Sequence, residues 1–325
     1  ARAKAIGDIL VEAERQKVIA GGFHAARAQA GATATRNGNF DFEPITSVSL
    51  SVTARTPDGM SSGYFLRSHF DAARLDTRRV AREAIRKALE GRNARAIEPG
   101  VYTVILEPQA VADLLGGSAF QFDARTATEG RSPFSAPGNK TRLGEKIFDE
   151  RINILSDPWN AELPGSHSAQ AGLPAQKIYM VRNGRLENLV YSRFWAKQSA
   201  TEPTPGPVNT ILVSSAPAAS LEEMIRATRR GLLISRFWYI RATDPRTASL
   251  TGLTRDGLWL VEGGKIQYPV KNLRFNQSTV QMLAPGNVEM IGKPERVGGG
   301  AEGGGSLLPP LKIKAFNFTS QSEAV

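Results

Sequence analysis

Residues 45–55 have the sequence Ile-Thr-Ser-Val-Ser-Leu-Ser-Val-Thr-Ala-Arg, and from Ser47 onward hydroxyl and apolar side chains alternate without a break. A period of two places alternate side chains on opposite faces of a β-strand. We expect the hydroxyl face to be in water and the other face to lie against a core, formed by Val48, Leu50, Val52 and Ala54. Pro-Asp-Gly at 57–59 is a turn sequence, so residues 60–66 are predicted as the antiparallel partner.

Helical patterns flank this predicted hairpin on both sides. Before it, apolar residues recur at helical spacing from residue 2 to about residue 19, and Gly21 then ends the pattern. After it, Asp76 is placed to cap a helix whose apolar stripe begins at Val80, and Gly91 can end that helix. The first part of the chain is therefore predicted as helix, antiparallel sheet and helix.

After residue 98 the sequence changes to short apolar segments separated by glycine and proline. Asn183-Gly184 and Gly263-Gly264 supply the positive φ that tight hairpins need, which predicts strands at 177–181, 186–191, 258–261 and 265–270. Ser220 and Glu223 form a capping box for a helix that we expect to end at Gly231. A final strand is predicted at 311–318, with a bulge near Ala315.

These patterns predict an α+β protein with two domains. Residues 1–98 are expected to form an N-terminal helix and antiparallel-sheet domain, and residues 99–325 a β-rich C-terminal domain.

Composition excludes several classes of site. The chain has no cysteine, which removes disulfides, thiolate nucleophiles and thiolate metal ligands. No apolar run approaches the roughly 20 residues that a membrane-spanning helix needs, and we expect a cytoplasmic protein without membrane contact. The net charge of +10 favours acidic partners, but the basic residues are scattered in ones and twos, so nucleic-acid binding is not favoured.

Catalytic motifs are absent from the sequence. His24, His69 and His167 have no zinc-ligand spacing, and no serine lies in a Gly-x-Ser-x-Gly elbow. The glycine-rich segment 298–305 lacks the Lys and Ser or Thr of a phosphate loop, which favours a connector. Carboxylates between 123 and 157 alternate with arginines and lysines, which favours a solvated ion network over an acid/base pair.

Two segments are candidates for contact with a ligand. His167 lies in a Ser-His-Ser loop that can present its imidazole, although a structural role is favoured. Phe237, Trp238 and Tyr239 lie among arginines and could line a groove for an extended peptide, with a core aromatic run as the favoured alternative.

Seven segments form a further pattern, in fixed order: GVYTVILEP from 100, EGRSPFS from 129, LGEKI from 143, LSDP from 155, GLLISRF from 231, LTGLTRDG from 250 and GKIQYPVKNLRFN from 264. Together they resemble the TldD/PmbA family, peptidase-related proteins also named modulators of DNA gyrase. The resemblance spans nearly the whole chain. It implies a two-domain α+β protein that dimerises around a cavity in which extended peptides are cleaved. Members of the family usually have more N-terminal sequence than is present before Ala1, so a processed, a truncated and an abbreviated form of the chain all stay open.

The zinc-bearing branch of that family has a His-Glu-x-x-x-His helix and a cysteine in a glycine-rich loop. Counted back from Phe134, its histidine positions fall on Leu115 and Phe120 and its glutamate on Gly116, none of which binds zinc. The segment 298–305 has no cysteine. The resemblance is therefore to the PmbA-like, or TldE-like, branch.

This resemblance implies a non-catalytic subunit that shapes the chamber, with no metal or cofactor of its own. Its expected partners are a zinc-bearing TldD-like subunit, or a second copy, and an unfolded peptide. Residues expected to face the peptide are Arg125, Glu129, Arg131, His167, Tyr239 and Arg241.

Two other functions stay open from the sequence. One is a homodimeric hydrolase that uses carboxylates or a carboxylate-bound metal. The other is a basic protein that binds nucleic acid or a topoisomerase, which the net charge and the family's older name support.

Overall fold

The computed structural model of the 325-residue chain describes residues 2–116, 122–169, 172–298 and 305–322. Helices and antiparallel sheets occur together, and the predicted α+β class is confirmed. Phe120 and residues 299–304 of the glycine-rich segment lie outside the described residues.

A three-stranded antiparallel sheet with two helices on one face forms the first part of the chain. Its elements are α1 (Arg2–Arg15), β1 (Ile19–Ala34), β2 (Phe40–Arg55), β3 (Ser62–His69) and α2 (Thr77–Glu90). The sheet order is β1-β2-β3. Side chains of α1 and α2 pack on the apolar face of β2, where Leu50, Val52 and Ala54 are buried. The alternation at 45–55 therefore identified the core face correctly.

Strand β1 was not predicted. It pairs with β2 along its whole length of 16 residues, from Ile19 opposite Arg55 to Ala34 opposite Phe40. Alanine and glycine make up much of β1, and both have low strand propensity, so local preference gives no strand signal there. Pairing with β2 overrides that preference. The outer part of this hairpin, residues 25–47, is called the arm below.

The rest of the chain contains many short strands and few helices. The longest helices, α1 and α2, have 14 residues each, and none in the described ranges is long and apolar enough to cross a membrane. The elements after α2 are β4 (Gly100–Leu106), α3 (Pro108–Leu115), α4 (Ala124–Thr128), β5 (Ser135–Ala136), β6 (Lys140–Thr141), β7 (Ile152–Ser156), β8 (Ile178–Arg182), β9 (Arg185–Leu186), α5 (Arg193–Gln198), β10 (Thr210–Ser214), α6 (Leu221–Arg226), β11 (Arg230–Asp244), β12 (Ser249–Glu262), β13 (Lys265–Pro269), β14 (Leu273–Ser278), α7 (Thr279–Met282), β15 (Val288–Ile291), β16 (Glu295–Val297), β17 (Ser306–Leu308) and β18 (Leu311–Gln321).

Two large sheets contain most of these strands, and β5 and β6 form a separate two-stranded sheet. A six-stranded sheet has the order β16-β17-β10-β7-β8-β9. In the larger sheet β4, β18, β14, β12 and β11 pair in a closed cycle, because β11 pairs with both β12 and β4. The hydrophobic core fills the space inside this cycle and between the two sheets.

Most local predictions are confirmed, with two corrections. Asn183-Gly184 and Gly263-Gly264 adopt positive φ between paired strands, and β18 has its register shift between Ile313 and Phe316. The Ser220 capping box forms, but α6 ends at Arg226, and residues 227–229 connect it to β11, which already begins at Arg230. Strand β9 has two residues instead of the predicted six, since the chain leaves the sheet after Leu186.

The hydroxyl face of β2 and β3 is not fully in water, contrary to the prediction. Ser49, Leu66 and Ser68 are buried because the later part of the chain packs on this face. Ser68 Oγ donates to the Gly298 carbonyl oxygen at 3.2 Å. We call this contact the seam: it joins the face of β2 and β3 that includes Ser49, Leu66 and Ser68 to the later part of the chain. The polar groups described next lie along it.

Candidate functional site

An aromatic run on β11 is divided by a bulge next to the seam. Phe237 is buried, whereas Trp238 is 42% and Tyr239 65% exposed. The register of β11 against β12 shifts between Trp238 and Arg241, and Tyr239 has φ of 54°. Positive φ is costly for a bulky residue and is concentrated at functional sites. The favoured prediction of a core aromatic run is therefore correct for Phe237 and wrong for the next two residues.

Phe237 anchors this bulge in the core. Its ring lies 4.8 Å from the Phe275 ring in an edge arrangement and 5.6 Å from the stacked Phe316 ring. These rings fill the interior of the closed strand cycle, which fixes the backbone on either side of the bulge. Trp238 and Tyr239 are consequently held outward on a rigid base.

Arg236 joins the bulge to the first part of the chain. Its guanidinium lies 3.9 Å from the ring centroid of Tyr64 on β3 and 5.0 Å from that of Trp238. It also forms an ion pair with Asp256 at 3.3 Å. Among the described residues, the buried Arg236 Nε has no hydrogen-bond partner. This arginine therefore holds Trp238 in place through stacking and charge.

Asp256 is a second strained residue, on the neighbouring strand β12. It has φ of 55°, and Ser62 Oγ donates to its carboxylate at 2.5 Å across the seam. Arg255 Nε lies 3.9 Å from the same carboxylate, and the Arg255 guanidinium is 5.7 Å from the Trp238 ring. The Asp256 carboxylate thus lies near the guanidinium groups of both Arg236 and Arg255, beside the exposed Trp238 ring.

We call Trp238, Tyr239, Arg236, Arg241 and Arg255 the aromatic–arginine surface. The Arg241 guanidinium lies 5.9 Å from the Tyr239 ring, and the two rings of Trp238 and Tyr239 meet edge to face at 5.8 Å. Exposed aromatic rings stack on peptide side chains, and arginines donate to carboxylates and to backbone carbonyls. The excess of arginine favours an extended peptide that carries acidic groups.

Asp113 on α3 lies behind this surface. Its carboxylate accepts hydrogen bonds from the Phe237 backbone N–H and from Gln109 Nε2, both at 2.8 Å. Burial raises the pKa of Asp113 to about 6, although the nearby charge of Arg236 opposes the rise and part of the side chain reaches solvent. Gln109 Oε1 is buried without a partner in the described residues. Sequence reasoning did not identify Asp113, since one acid on a short helix has no distinguishing pattern.

The raised pKa of Asp113 predicts that the substitution Asp113→Asn stabilises the protein at alkaline pH. The folded state keeps its proton up to about pH 6, whereas an unfolded carboxyl releases it near pH 3.8. Stability is therefore lost as the pH rises between these values and stays lost above them. We expect the variant to be about 1 to 3 kcal/mol more stable than the parent at pH 8. In the variant, the side-chain oxygen of the asparagine still accepts from the Phe237 backbone N–H. After rotation of its amide, Gln109 accepts a hydrogen bond from the side-chain NH₂ of the asparagine.

Urea unfolding at pH 4 and pH 8 measures this effect. The two proteins should differ little at pH 4, where both carry a neutral group, and that equality is the internal control. A variant that is destabilised more at pH 8 than at pH 4 would show that the fold favours the carboxylate form, and an equal change at both pH values would show that folding does not raise the pKa of Asp113.

Arg125, Glu129 and Arg131 lie together around α4. Glu129 accepts from Arg125 Nε at 2.8 Å and from Arg131 Nε at 3.1 Å, and hydrogen bonds from Arg131 and then Arg125 hold the pKa of Glu129 below its usual range. The Arg125 guanidinium also lies 5.6 Å from the Trp195 ring. These residues form an exposed ion network, in which the glutamate stays ionised.

His167 lies at a different place, against the arm. Its backbone N–H donates to Glu43 at 3.2 Å, and its Nδ1 is 4.0 Å from the Asp41 carboxylate. Ser168 Oγ donates to Asp41 at 2.6 Å. The residues predicted to face a peptide thus lie in three separate places. Tyr239 and Arg241 belong to the aromatic–arginine surface, the residues from Arg125 to Arg131 lie around α4, and His167 lies against the arm.

The positions matched to the zinc motif lie at the end of α3. Leu115 is buried and lines a cavity of about 200 Å³, whose wall includes the apolar residues Phe122, Ile154, Met180 and Leu212 as well as Asn209 and Thr210. Gly116 follows as the helix cap, with its N–H bonded to the Ala112 carbonyl oxygen. Neither leucine nor glycine has a side-chain group that binds a metal ion, so the residues at Leu115 and Gly116 do not fit zinc. Among the described residues, no group of three or more His, Asp or Glu side chains could hold a metal ion.

The comparisons with known proteins agree with this fold. Residues 99–320 match the family described as PmbA/TldA metallopeptidase C-terminal domain, which covers more than half of the chain. The chain belongs to the TldD/PmbA family. The resemblance found in the sequence is thereby confirmed. Among the curated proteins, none matches this chain.

Three solved structures share the fold at low sequence identity. TldE from Thermococcus kodakarensis has 16% identity and a TM-score of 0.82, over 98% of this chain and 73% of that one. A protein named as a candidate modulator of a DNA gyrase from Thermotoga maritima has 18% identity and a TM-score of 0.82, over 96% and 73%. Another named in the same way, from Bacteroides thetaiotaomicron, has 18% identity and a TM-score of 0.80, over 98% and 72%.

Proposed function

We propose that this chain is a non-catalytic, chamber-forming subunit of a TldD/PmbA-type metallopeptidase. The observation that carries the proposal is that Leu115, which the resemblance matches to a histidine of the zinc-bearing branch, is a buried leucine in the wall of a cavity. Family membership supports a peptidase-related role, and the missing ligands support the proposal that another subunit carries out the chemistry.

The role of this chain's own residues is to hold the peptide. Trp238 and Tyr239 give an extended, unfolded chain two rings to stack on, and Arg241 and Arg255 give its carboxylates and carbonyl oxygens charged donors. Stacking and carbonyl contacts are largely independent of side-chain sequence, which suits varied unfolded peptides. The net charge of +10 draws acidic peptides toward the surface.

The zinc-bearing subunit of the proposed complex supplies the hydrolytic step. Zinc in such a site activates a water molecule and polarises the peptide carbonyl. This chain contributes by orienting the peptide and by limiting its motion, which raises the effective concentration of the scissile bond at the partner's metal.

A mixing experiment tests the proposal. Cleavage of an unfolded peptide is measured with this chain alone, with a TldD-like subunit alone and with both, each with and without a zinc chelator. We expect chelator-sensitive cleavage in the mixture and none by this chain alone. Cleavage by this chain alone would refute the supporting role and favour a hydrolase with its own site.

Removing the Trp238 ring should weaken peptide binding. We expect Trp238→Ala to bind a fluorescent acidic peptide about 10-fold or more weakly, because truncating a central aromatic contact typically costs more than about 1 kcal/mol. Fluorescence anisotropy measures the affinity. The exposed Trp159 gives the matched control, and Trp159→Ala should bind as the parent does. Equal affinity of the two variants would exclude the aromatic–arginine surface as the peptide site.

A further inference from the structure

Two buried nitrogen atoms without a hydrogen-bond partner among the described residues belong to neighbouring side chains, His69 Nε2 and Arg296 Nε. His69 ends β3, and Arg296 is the middle residue of β16. The two strands lie side by side, where Arg67 pairs with Glu295 at 2.6 Å. The Phe70 ring lies 4.3 Å from the His69 ring and 5.8 Å from the Arg296 guanidinium. Buried donors nearly always have an acceptor, so two open donors in one place indicate that a bound group is missing.

Hydrogen bonding fixes the position of the proton on His69. Its Nδ1 accepts from the Asp71 backbone N–H at 2.8 Å, so the neutral ring carries its proton on Nε2. Burial, followed by the charges of Arg296 and Arg74, lowers the pKa of His69, and the charges of Glu162 and Asp71 oppose this change. At pH 7 the ring is therefore mostly neutral and offers one buried N–H donor.

Arg296 uses one edge of its guanidinium and leaves the other edge open. Its Nη1 donates to the Glu162 backbone carbonyl oxygen at 2.8 Å. Nε and Nη2 form the other edge, and they donate to no group that the structure describes. In Arg182 the same edge binds a carboxylate, with Nε and Nη2 donating to the two oxygens of Glu187 at 2.5 and 2.8 Å. Arginine makes this paired contact with carboxylate and phosphate groups.

The charge of Arg296 also lacks a counter-ion. No carboxylate in the described ranges forms an ion pair with it, and the nearby Glu162 carboxylate is paired with Arg74 at 3.3 Å. Burial lowers the pKa of Arg296, and the charge of Glu162 opposes this. The charged form is thus disfavoured by its surroundings, as expected for a partly buried cation without a partner. A bound anion would supply the missing charge and the missing acceptors together.

We propose that His69 and Arg296 form a binding site for an oxyanion, that is, a carboxylate or phosphate group. Two oxygens of the anion accept from Nε and Nη2 of Arg296, and one of them also accepts from His69 Nε2. A water molecule in the same place would accept hydrogen bonds but would leave the guanidinium charge unpaired. Because β3 and β16 belong to the two parts of the chain, the anion also joins these parts. This inference does not depend on the proposed peptidase role.

The His69 ring reports directly on a bound anion. The chain has three histidines, and His69→Asn assigns the His69 signal in an NMR titration of the ring protons against pH. The titration is run in sodium chloride, and again with inorganic phosphate or acetate at equal ionic strength. An anion beside the ring favours the imidazolium, so we expect the pKa of His69 to rise by about 1, while the pKa values of His24 and His167 change little.

The choice of anion identifies the class of ligand. A response of His69 to both phosphate and acetate would indicate a general oxyanion site, and a response to one of them would name its class; either result supports the proposal. A pKa of His69 that is the same in all three salts would overturn it, because the open donors would then bind no oxyanion.

Substitutions test the two residues, with the rise of the thermal unfolding midpoint against anion concentration as the measure of affinity. Arg296→Gln loses the charge and the paired donors, and we expect it to bind the anion about 10-fold or more weakly. His69→Asn keeps an acceptor for the Asp71 N–H but lacks the Nε2 donor, and it should bind about 5-fold more weakly. Arg229→Gln removes an exposed charge elsewhere and should bind as the parent does.

Arg296→Lys keeps the charge without the paired donor edge. It should bind with intermediate affinity, and it also provides the test if the glutamine variant does not fold. Parent-like affinity in both Arg296→Lys and His69→Asn would exclude this site.

Discussion

The substitution Glu107→Ala is expected to lower the free energy of unfolding by about 3 to 5 kcal/mol, because it leaves a buried ammonium without a partner. Lys87 Nζ lies 2.5 Å from the Glu107 carboxylate, and the two side chains are 2% and 12% exposed. Ser235 Oγ donates to the other carboxylate oxygen at 3.3 Å. The pair joins α2 to the start of α3 across the seam, so its loss should also weaken the contact between the two parts of the chain.

Urea unfolding measures this change, and two variants serve as controls. Replacing both partners, Lys87→Met with Glu107→Leu, should restore most of the lost stability, since an apolar pair of similar size carries no unpaired charge. Glu187→Ala breaks the exposed pair with Arg182 and should cost less than about 1 kcal/mol. If Glu107→Ala lowered the free energy of unfolding no more than Glu187→Ala does, the buried pair would stabilise the protein no more than an exposed pair.

Gly63→Ala is expected to destabilise the protein by about 3 kcal/mol, at the upper end for an overpacked site. Gly63 on β3 lies directly under α2. A methyl group there would overlap the Ala84 carbonyl oxygen and approach the Ala88 amide nitrogen to 2.5 Å. Backbone atoms of a helix cannot rotate away as a side chain can, so the whole helix has to shift from the sheet.

Gly21→Ala is the matched control for this effect. Gly21 lies in the same sheet, and a methyl group at that position would meet no atom within 4 Å. We expect its stability to stay within about 1 kcal/mol of the parent or to rise slightly, because alanine restricts the unfolded chain. Thermal unfolding of the two variants side by side gives the comparison. A Gly63→Ala protein as stable as the control would mean that α2 does not pack as closely as the structure indicates.

The sequence predicted those elements whose local pattern agrees with the fold. Alternation at 45–55 gave β2 and its core face, and Ser220 with Glu223 gave the start of α6. Strand β1 was not predicted, because its alanines and glycines have low strand propensity. These residues form a strand only because they pair with β2. The end of α6 was misplaced because Arg229 and Arg230 suit a helix end as well as a strand start.

The candidate site was visible in part. The sequence offered Phe237, Trp238 and Tyr239 as a possible peptide groove but favoured a core aromatic run, because alternation could not show a bulge that turns Trp238 and Tyr239 outward. Tyr64 stacks on Arg236 although many residues separate them, and a long-range contact of this kind leaves no local signal. Asp113 gained its raised pKa from burial, which is a property of the packed fold.

The sequence by itself determined the α+β class, the family and the absence of zinc ligands at Leu115 and Gly116, because these depend on residue identity, order and local periodicity. Tertiary structure alone decided the seam and the bulge that exposes Trp238. Each of these depends on which distant segments cover a given surface. The burial of a residue depends on all the segments that pack around it, so it cannot be predicted from the sequence of one segment.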